Sequence, residues 1–153
     1  MIFQKGFTLL EFIFALGIIV SLAVIGLVSF SSFRGKSDLN VATEMGVSLL
    51  NEARSQTVSA LDASRYGVHF EANKITLFKG VQYTVGDALN KEYILPQGVE
   101  VSAVNLFGGG TDVIFNRLTG ATNQYGTTTL RLISATTTFR FLVVSSSGVV
   151  NAQ

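Results

Sequence analysis

Few side chains in this 153-residue chain have the type and spacing to do chemistry. His69 is the only imidazole and there is no cysteine, which excludes thiolate chemistry and multi-histidine metal clusters. His69 lies in an apolar, strand-like pattern, where we expect a structural role. The run Gly108-Gly109-Gly110 lacks the lysine and the strand-to-helix context of a phosphate loop, so it predicts a turn. We therefore expect no enzyme activity, no cofactor and no metal site.

The charge and apolarity of the chain restrict its class. Eleven basic residues oppose ten acidic ones, and the formal net charge of +1 gives no long-range attraction for nucleic acid. Hydrophobic residues make up 48% of the chain and charged residues 14%, with a mean hydropathy of +0.44. This composition is too apolar for a disordered chain and points to a membrane attachment.

The apolar residues are concentrated near the amino terminus. Glu11 is the only charged residue between Lys5 and Arg34, and the 22 residues from Phe12 to Phe33 carry no charge. As a helix this run is about 33 Å long, close to the ~30 Å hydrocarbon core of a bilayer. A cleaved secretory signal is the alternative, but its apolar stretch is about 7–15 residues long and ends on small side chains. We therefore expect a retained single-pass membrane helix.

A short motif, Lys5-Gly6-Phe7-Thr8-Leu9-Leu10-Glu11, precedes this run. A carboxylate at that depth costs on the order of a few kcal/mol unless it is paired or reaches the headgroups. The motif resembles the prepilin-type signal of type IV pilins and type II secretion pseudopilins. The resemblance implies that a prepilin peptidase cuts between Gly6 and Phe7 and that the new Phe7 amine is methylated.

The resemblance also implies an assembly role for Glu11. A terminal amine has an ordinary pKa of about 7.7–8.0 and is largely cationic at neutral pH, so Glu11 of one subunit would pair with the Phe7 amine of its neighbour. The implied partners are other pilin or pseudopilin subunits, the prepilin peptidase and methylase, and the inner-membrane assembly platform.

The implied location is the bacterial inner membrane, with one pass and the carboxyl-terminal domain outside the cytoplasm, followed by a pilus or pseudopilus filament. The positive-inside count conflicts with this orientation, because Lys5 lies on the amino side of the span whereas Arg34 and Lys36 lie on the carboxyl side.

Beyond the apolar run, the pattern predicts one long helix from Thr8 to Ser64 and then many short strands. Residues recurring at helical spacing form an apolar stripe: Leu39, Ala42, Met45, Leu49, Leu50, Ala53, Ala60 and Leu61. Strands are expected over 66–70, 74–78, 81–85, 93–95, 99–104, 112–115, 129–133, 138–144 and 149–151, the first two as a hairpin. The expected fold is α+β, a long amino-terminal helix packed on an antiparallel β-sheet domain, the pilin fold. The expected segments are a leader (1–6), a membrane or filament-core helix (7–33), an amphipathic continuation (34–64) and a β-rich domain (65–153).

The strand region resembles the H-type minor pseudopilins, a group that includes FimT-like minor pilins. The matching segments are Tyr66-Gly67-Val68, Leu95-Pro96-Gln97-Gly98-Val99, Ile114-Phe115 and Val143-Val144. The last acidic residue is Asp112, so the calcium-binding carboxyl-terminal loop of major secretion pseudopilins is not expected.

The predicted function is that of a structural subunit, a minor pseudopilin or minor pilin, in a type IV pilus or type II secretion pseudopilus. The alternative is a minor pilin that binds DNA or another ligand through Arg117, Arg131 and Arg140, although the sequence has no Lys/Arg cluster. A third interpretation is a membrane protein that never polymerises.

Overall fold

The computed structural model describes residues 8–59 and 63–153, with the backbone alone for 25–32. Within these ranges one helix, α1 (Leu9–Val58), is followed by eight strands. The strands are β1 (Tyr66–Phe70), β2 (Lys74–Lys79), β3 (Lys91–Ile94), β4 (Val99–Leu106), β5 (Asp112–Ile114), β6 (Gly126–Leu132), β7 (Phe139–Val144) and β8 (Val150–Ala152). The chain divides into two compact units, Met1–Arg34 and Gly35–Gln153.

The helix in the first unit is apolar on every side. Its described large apolar side chains, from Leu9 to Val24, are all between 52% and 80% exposed. In the part of the chain that the structure describes, no helix is long and apolar enough to cross a membrane. The predicted uncharged run from Phe12 to Phe33 includes 25–32, whose side chains lie outside the described set.

The helix in the second unit buries one stripe of side chains. The predicted stripe is confirmed at its described positions: Leu39, Ala42, Leu49, Leu50 and Ala53 are buried, and Met45 packs against them. The predicted members Ala60 and Leu61 lie outside the described residues.

The helix ends earlier than the predicted Ser64, at Val58. The hydroxyl of Thr57 donates to the carbonyl of Ala53 at 2.8 Å and accepts the N–H of Tyr66 at 2.9 Å. The first residue of β1 therefore lies beside the last helical turn.

The strands form two antiparallel sheets rather than one. Sheet A has the order β3-β2-β1-β5 and sheet B the order β4-β6-β7-β8. One hydrophobic core joins them to the helix stripe, with Val68, Ile75 and Val113 from sheet A and Leu130 and Leu142 from sheet B. The expected α+β fold is therefore correct. The helix stripe from Leu39 to Ala53 packs against both sheets.

The predicted hairpin is confirmed, but the strand expected at Val81–Val85 is wrong. β1 and β2 pair antiparallel, with Phe70 opposite Ile75. The chain after β2 is a loop with two turns, closed by bonds from the N–H of Asp87 to the carbonyl of Thr84 at 3.4 Å and from the N–H of Asn90 to the carbonyl of Asp87 at 3.0 Å. Gly80 and Gly86, which flank the expected strand, adopt φ angles of +127° and +77°, so an extended chain cannot continue at either end.

Gly67 in β1 has no room for a side chain. A Cβ there would lie 2.6 Å from Cζ of Phe78 and 2.8 Å from the backbone oxygen of Val113. We expect Gly67→Ala to lower the free energy of unfolding by about 1–3 kcal/mol, measured as a urea midpoint by near-ultraviolet circular dichroism of the full chain in detergent. Gly17→Ala is the matched control, since a Cβ there meets nothing within 4 Å. Equal midpoints for both variants would contradict this packing.

Candidate functional site

The amino-terminal end of α1 is capped by a side chain. The N–H of Glu11 donates to Oγ1 of Thr8 at 3.2 Å, and the N–H of Phe12 donates to the carbonyl of Thr8 at 3.1 Å. Thr8 is therefore the N-cap and Glu11 the third helical residue, the spacing of a capping box. The carboxylate also lies near the positive end of the helix dipole, which favours a negative charge by about 0.3–1 kcal/mol.

Of the three residues predicted for processing and assembly, the structure describes only Glu11. Its side chain is exposed, and it forms no ion pair within the described residues. Gly6 and Phe7 lie outside the described residues, so the predicted cleavage position has no structural description.

The three predicted arginines do not share a surface. Arg131 on β6 donates from Nε to Oε1 of Glu100 at 2.6 Å. Arg140 on β7 is in register with Leu130, the buried neighbour of Arg131, so Arg131 and Arg140 lie on opposite faces of sheet B. Arg117 is exposed in the loop that follows β5 of sheet A. The structure therefore provides no joint basic patch from these residues.

A cluster on the outer face of sheet A was not predicted. We call it the Tyr83 clamp, because the Tyr83 ring stacks on the His69 ring at 3.8 Å between centroids. The Tyr83 hydroxyl donates to Oε1 of Glu71 at 3.2 Å, and Phe78 meets the ring edge-on at 5.8 Å. His69 also contacts Asp112 through Nδ1 at 2.5 Å. The clamp fixes the β2–β3 loop onto the sheet.

The surroundings of Glu71 raise the pKa of two side chains, Tyr83 and Lys74. Burial and the hydrogen bond to Glu71 raise the pKa of Tyr83 above its ordinary value, so its phenol stays neutral. The hydrogen bond to Glu92 and the charge of Glu71 raise the pKa of Lys74, so its amine stays protonated. The cationic Lys74 pairs with two acidic neighbours, with Nζ–Oε1 distances of 3.4 Å to Glu71 and 2.8 Å to Glu92.

The contacts of the clamp indicate a structural role, because they hold the loop residue Tyr83 against His69 and Glu71. Across residues 8–59 and 63–153, no group of three or more His, Asp or Glu side chains could hold a metal ion. The predicted structural role of His69 agrees with its place in an interior strand of sheet A, opposite Asp112 of β5. Sequence reasoning missed Tyr83, because no local pattern marks a loop residue that stacks on a strand. It also missed the cap of Thr8, although the spacing Thr-x-x-Glu is visible in the sequence.

The packing of the second-unit part of α1 against two antiparallel sheets is that of a pilin-like α+β fold. Among solved structures, the chain is similar to that of the type IV minor pilin FimU from Pseudomonas aeruginosa (strain PAO1), with a TM-score of 0.56. The identity is 16%, and the match covers 75% of this chain and 92% of that one. No protein-family model and no curated protein matches the sequence. At this identity the likeness establishes the fold alone; the H-type branch stays a prediction.

Tyr83→Phe tests the clamp. At about pH 8 it should lower the free energy of unfolding by about 0.5–1.5 kcal/mol, because the bond to Glu71 is lost. The folded-state pKa is raised, so this contribution is fully present below the ordinary phenol pKa of about 10 and is lost as the pH rises from there through the higher folded-state pKa. Urea midpoints of both chains should therefore converge above about pH 10.

The control is Tyr125→Phe, since the Tyr125 hydroxyl makes no hydrogen bond with the described part of the chain and its ring stacks on Phe107. A pH-independent difference for Tyr83→Phe, or an equal loss in Tyr125→Phe, would contradict the clamp.

Proposed function

We propose that this protein is a non-enzymatic, pilin-like filament subunit, of the minor pilin or minor pseudopilin type. It is inserted in a bacterial inner membrane, processed by a prepilin peptidase and then built into a helical filament. The pilin-like fold supports the class of subunit, as does the similarity to a type IV minor pilin.

One observation carries the proposal, namely the change of surface along α1. From Leu39 onward the helix buries a stripe against the sheets, whereas its described apolar side chains before Ile25 are exposed. Each such side chain loses about 1.5–3 kcal/mol of burial free energy by facing water. Two environments would cover these apolar side chains: the bilayer before assembly, and neighbouring helices in a filament.

Glu11 is the proposed assembly residue. Its exposed carboxylate lies at the start of this apolar helix without an ion-pair partner among the described residues. In a low-dielectric filament core, an unpaired carboxylate is strongly unfavourable, so the Phe7 amine of the neighbouring subunit would fix the axial register of the two.

Substitutions at Glu11 separate assembly from helix capping. Glu11→Gln keeps a polar side chain at the capping-box position but removes the charge. We expect both Glu11→Gln and Glu11→Ala to reduce incorporation into sheared filaments by tenfold or more, about 1.4 kcal/mol, while the membrane level stays normal. Thr8→Ala, which removes the cap alone, is the control and should retain incorporation. Normal incorporation of Glu11→Gln would overturn the assembly role.

Processing is tested by mass spectrometry of the mature chain. We expect it to begin at Phe7 with one added methyl group, and we expect Gly6→Leu to accumulate as the full-length form in the membrane. A side chain at residue 6 would obstruct backbone entry into the peptidase site. An intact Met1 terminus in cells with an active peptidase would overturn the proposal.

The DNA-binding alternative has less support. Its basic surface would require the three arginines together, yet Arg131 is engaged by Glu100 and faces away from Arg140. A phosphate-binding surface needs several unpaired cations on one side, so the structural role is the one we propose.

A further inference from the structure

Sheet B has one side in the core and one side facing solvent. Side chains alternate along an extended strand, and in β6 the core side is occupied by Thr128, Leu130 and Leu132, which are buried. Thr127 and Thr129 therefore lie on the other side, which we call the outer face. The outer face also carries four aromatic side chains, which are placed there by the register of β4, β6 and β7 or extend it by one residue: Phe107, Tyr125, Phe139 and Phe141.

The exposed aromatic rings of the β domain are concentrated on this face. Phe107 is 63% exposed, Phe139 44% and Tyr125 38%. The other aromatic rings in the described part of residues 35–153 are buried or half-buried. Exposed apolar side chains collected on one face of a domain mark an interaction surface.

The aromatic rings form two pairs at opposite ends of the outer face. Phe107 stacks on Tyr125 at 4.8 Å between centroids, and Phe139 contacts Phe141 at 5.1 Å. Phe141 lies opposite Thr129, which is four residues after Tyr125 in the chain, so the two pairs are about 14 Å apart along the strands. The pairs are therefore two separate contact points for one extended ligand.

Uncharged polar side chains lie between the two pairs. Thr127 lies opposite Asn105 of β4, and Thr129 follows two residues further along β6. Among the described residues, the hydroxyls of Thr127 and Thr129 and the side-chain amide of Asn105 have no hydrogen-bond partner. These groups are available to donate to a ligand and to accept from it.

The outer face carries no unpaired charge. The strands of sheet B contain three charged residues, Glu100, Arg131 and Arg140. Nε of Arg131 donates to Oε1 of Glu100, directly opposite on β4, at 2.6 Å. Arg140 lies on the other side of the sheet, in register with Leu130. A polyanion such as a nucleic acid needs several unpaired cations, so this face has the chemistry for an uncharged ligand.

We propose that the outer face of sheet B binds an uncharged polysaccharide of extended, cellulose-like chemistry. Each sugar ring of such a chain has its hydroxyl groups at the rim and C–H groups on its two faces. The C–H groups carry a small positive charge that the negative face of an aromatic ring attracts, so each aromatic pair would hold a sugar ring. The rim hydroxyls would exchange hydrogen bonds with Thr127, Thr129 and Asn105. The inference goes beyond the proposed filament role, because it assigns a ligand to the β domain.

Sedimentation with microcrystalline cellulose tests the site, with the full-length chain in detergent micelles and free cellohexaose as the competitor. The native chain should sediment with cellulose, and cellohexaose should release it. Phe107→Leu and Phe139→Leu keep an apolar side chain but remove the ring, so each should raise the Kd by about two- to tenfold. Phe107→Tyr and Phe139→Tyr keep the ring and should bind as the native chain does.

Two controls separate sugar binding from other kinds of adhesion. Ile94→Ala removes an exposed apolar side chain from β3 of sheet A and should leave the Kd unchanged. High salt should also leave it unchanged, because the outer face has no unpaired charge to screen. The proposal is overturned if the native chain does not sediment, if cellohexaose does not release it, if the leucine variants bind as tightly as the native chain, if Ile94→Ala weakens binding as much as they do, or if high salt abolishes binding.

The filament role is tested separately from this site. Glu11→Gln should bind cellulose in micelles as the native chain does, because residue 11 lies outside sheet B. A failure of filament assembly and a failure of sugar binding are therefore distinguishable.

Discussion

The continuity of helix α1 is the constraint on which the rest of the chain depends. Fifty residues run from Leu9 to Val58 without interruption, and the single proline of the chain, Pro96, lies far beyond them. The part of the helix in the first unit is apolar and the part in the second unit is amphipathic, so each part needs its own partner surface. The amphipathic end has that partner within the chain, and the apolar beginning has it only in the environments we propose.

The β domain is arranged to cover one stripe of this helix from two directions. Gly46 makes this feasible, since a Cβ at that position would lie 2.6 Å from Cδ1 of Leu142 in sheet B and 3.6 Å from Cδ1 of Ile75 in sheet A. Both sheets therefore approach the same helical turn. At the outer strand β5, the hydroxyl of Thr122 donates to the carbonyl of Ile114 at 2.8 Å.

The sequence predicts structure that depends on neighbouring residues, such as a helix stripe or a hairpin. It does not predict which distant strands pair. The stripe from Leu39 to Ala53 follows from helical spacing alone, and the β1–β2 hairpin follows from two alternating runs joined by three residues. The split into two sheets depends on β1 pairing with β5, with His69 opposite Asp112 forty-three residues later. Val81–Val85 alternates as a strand would, but Tyr83 is held by partners on other strands, which no local pattern records. The same limit applies to Arg131 and Arg140, whose separation on two faces is set by the register of β6 and β7.

The few charges of the chain divide into two groups with different physical consequences. Pairs such as Lys91–Glu52, at 3.1 Å, join elements within the domain, and in that position the hydrogen bond to Glu52 raises the pKa of Lys91. Glu11, Asp87 and Arg117 have no ion-pair partner among the described residues. At physiological salt an exposed charge acts over about 8 Å, so with a net charge of +1 these three groups cannot gather subunits from a distance. In the assembly that we propose, Glu11 acts after apolar surfaces have met, when water is excluded and an unpaired charge is costly, so it would select the register of two neighbouring subunits.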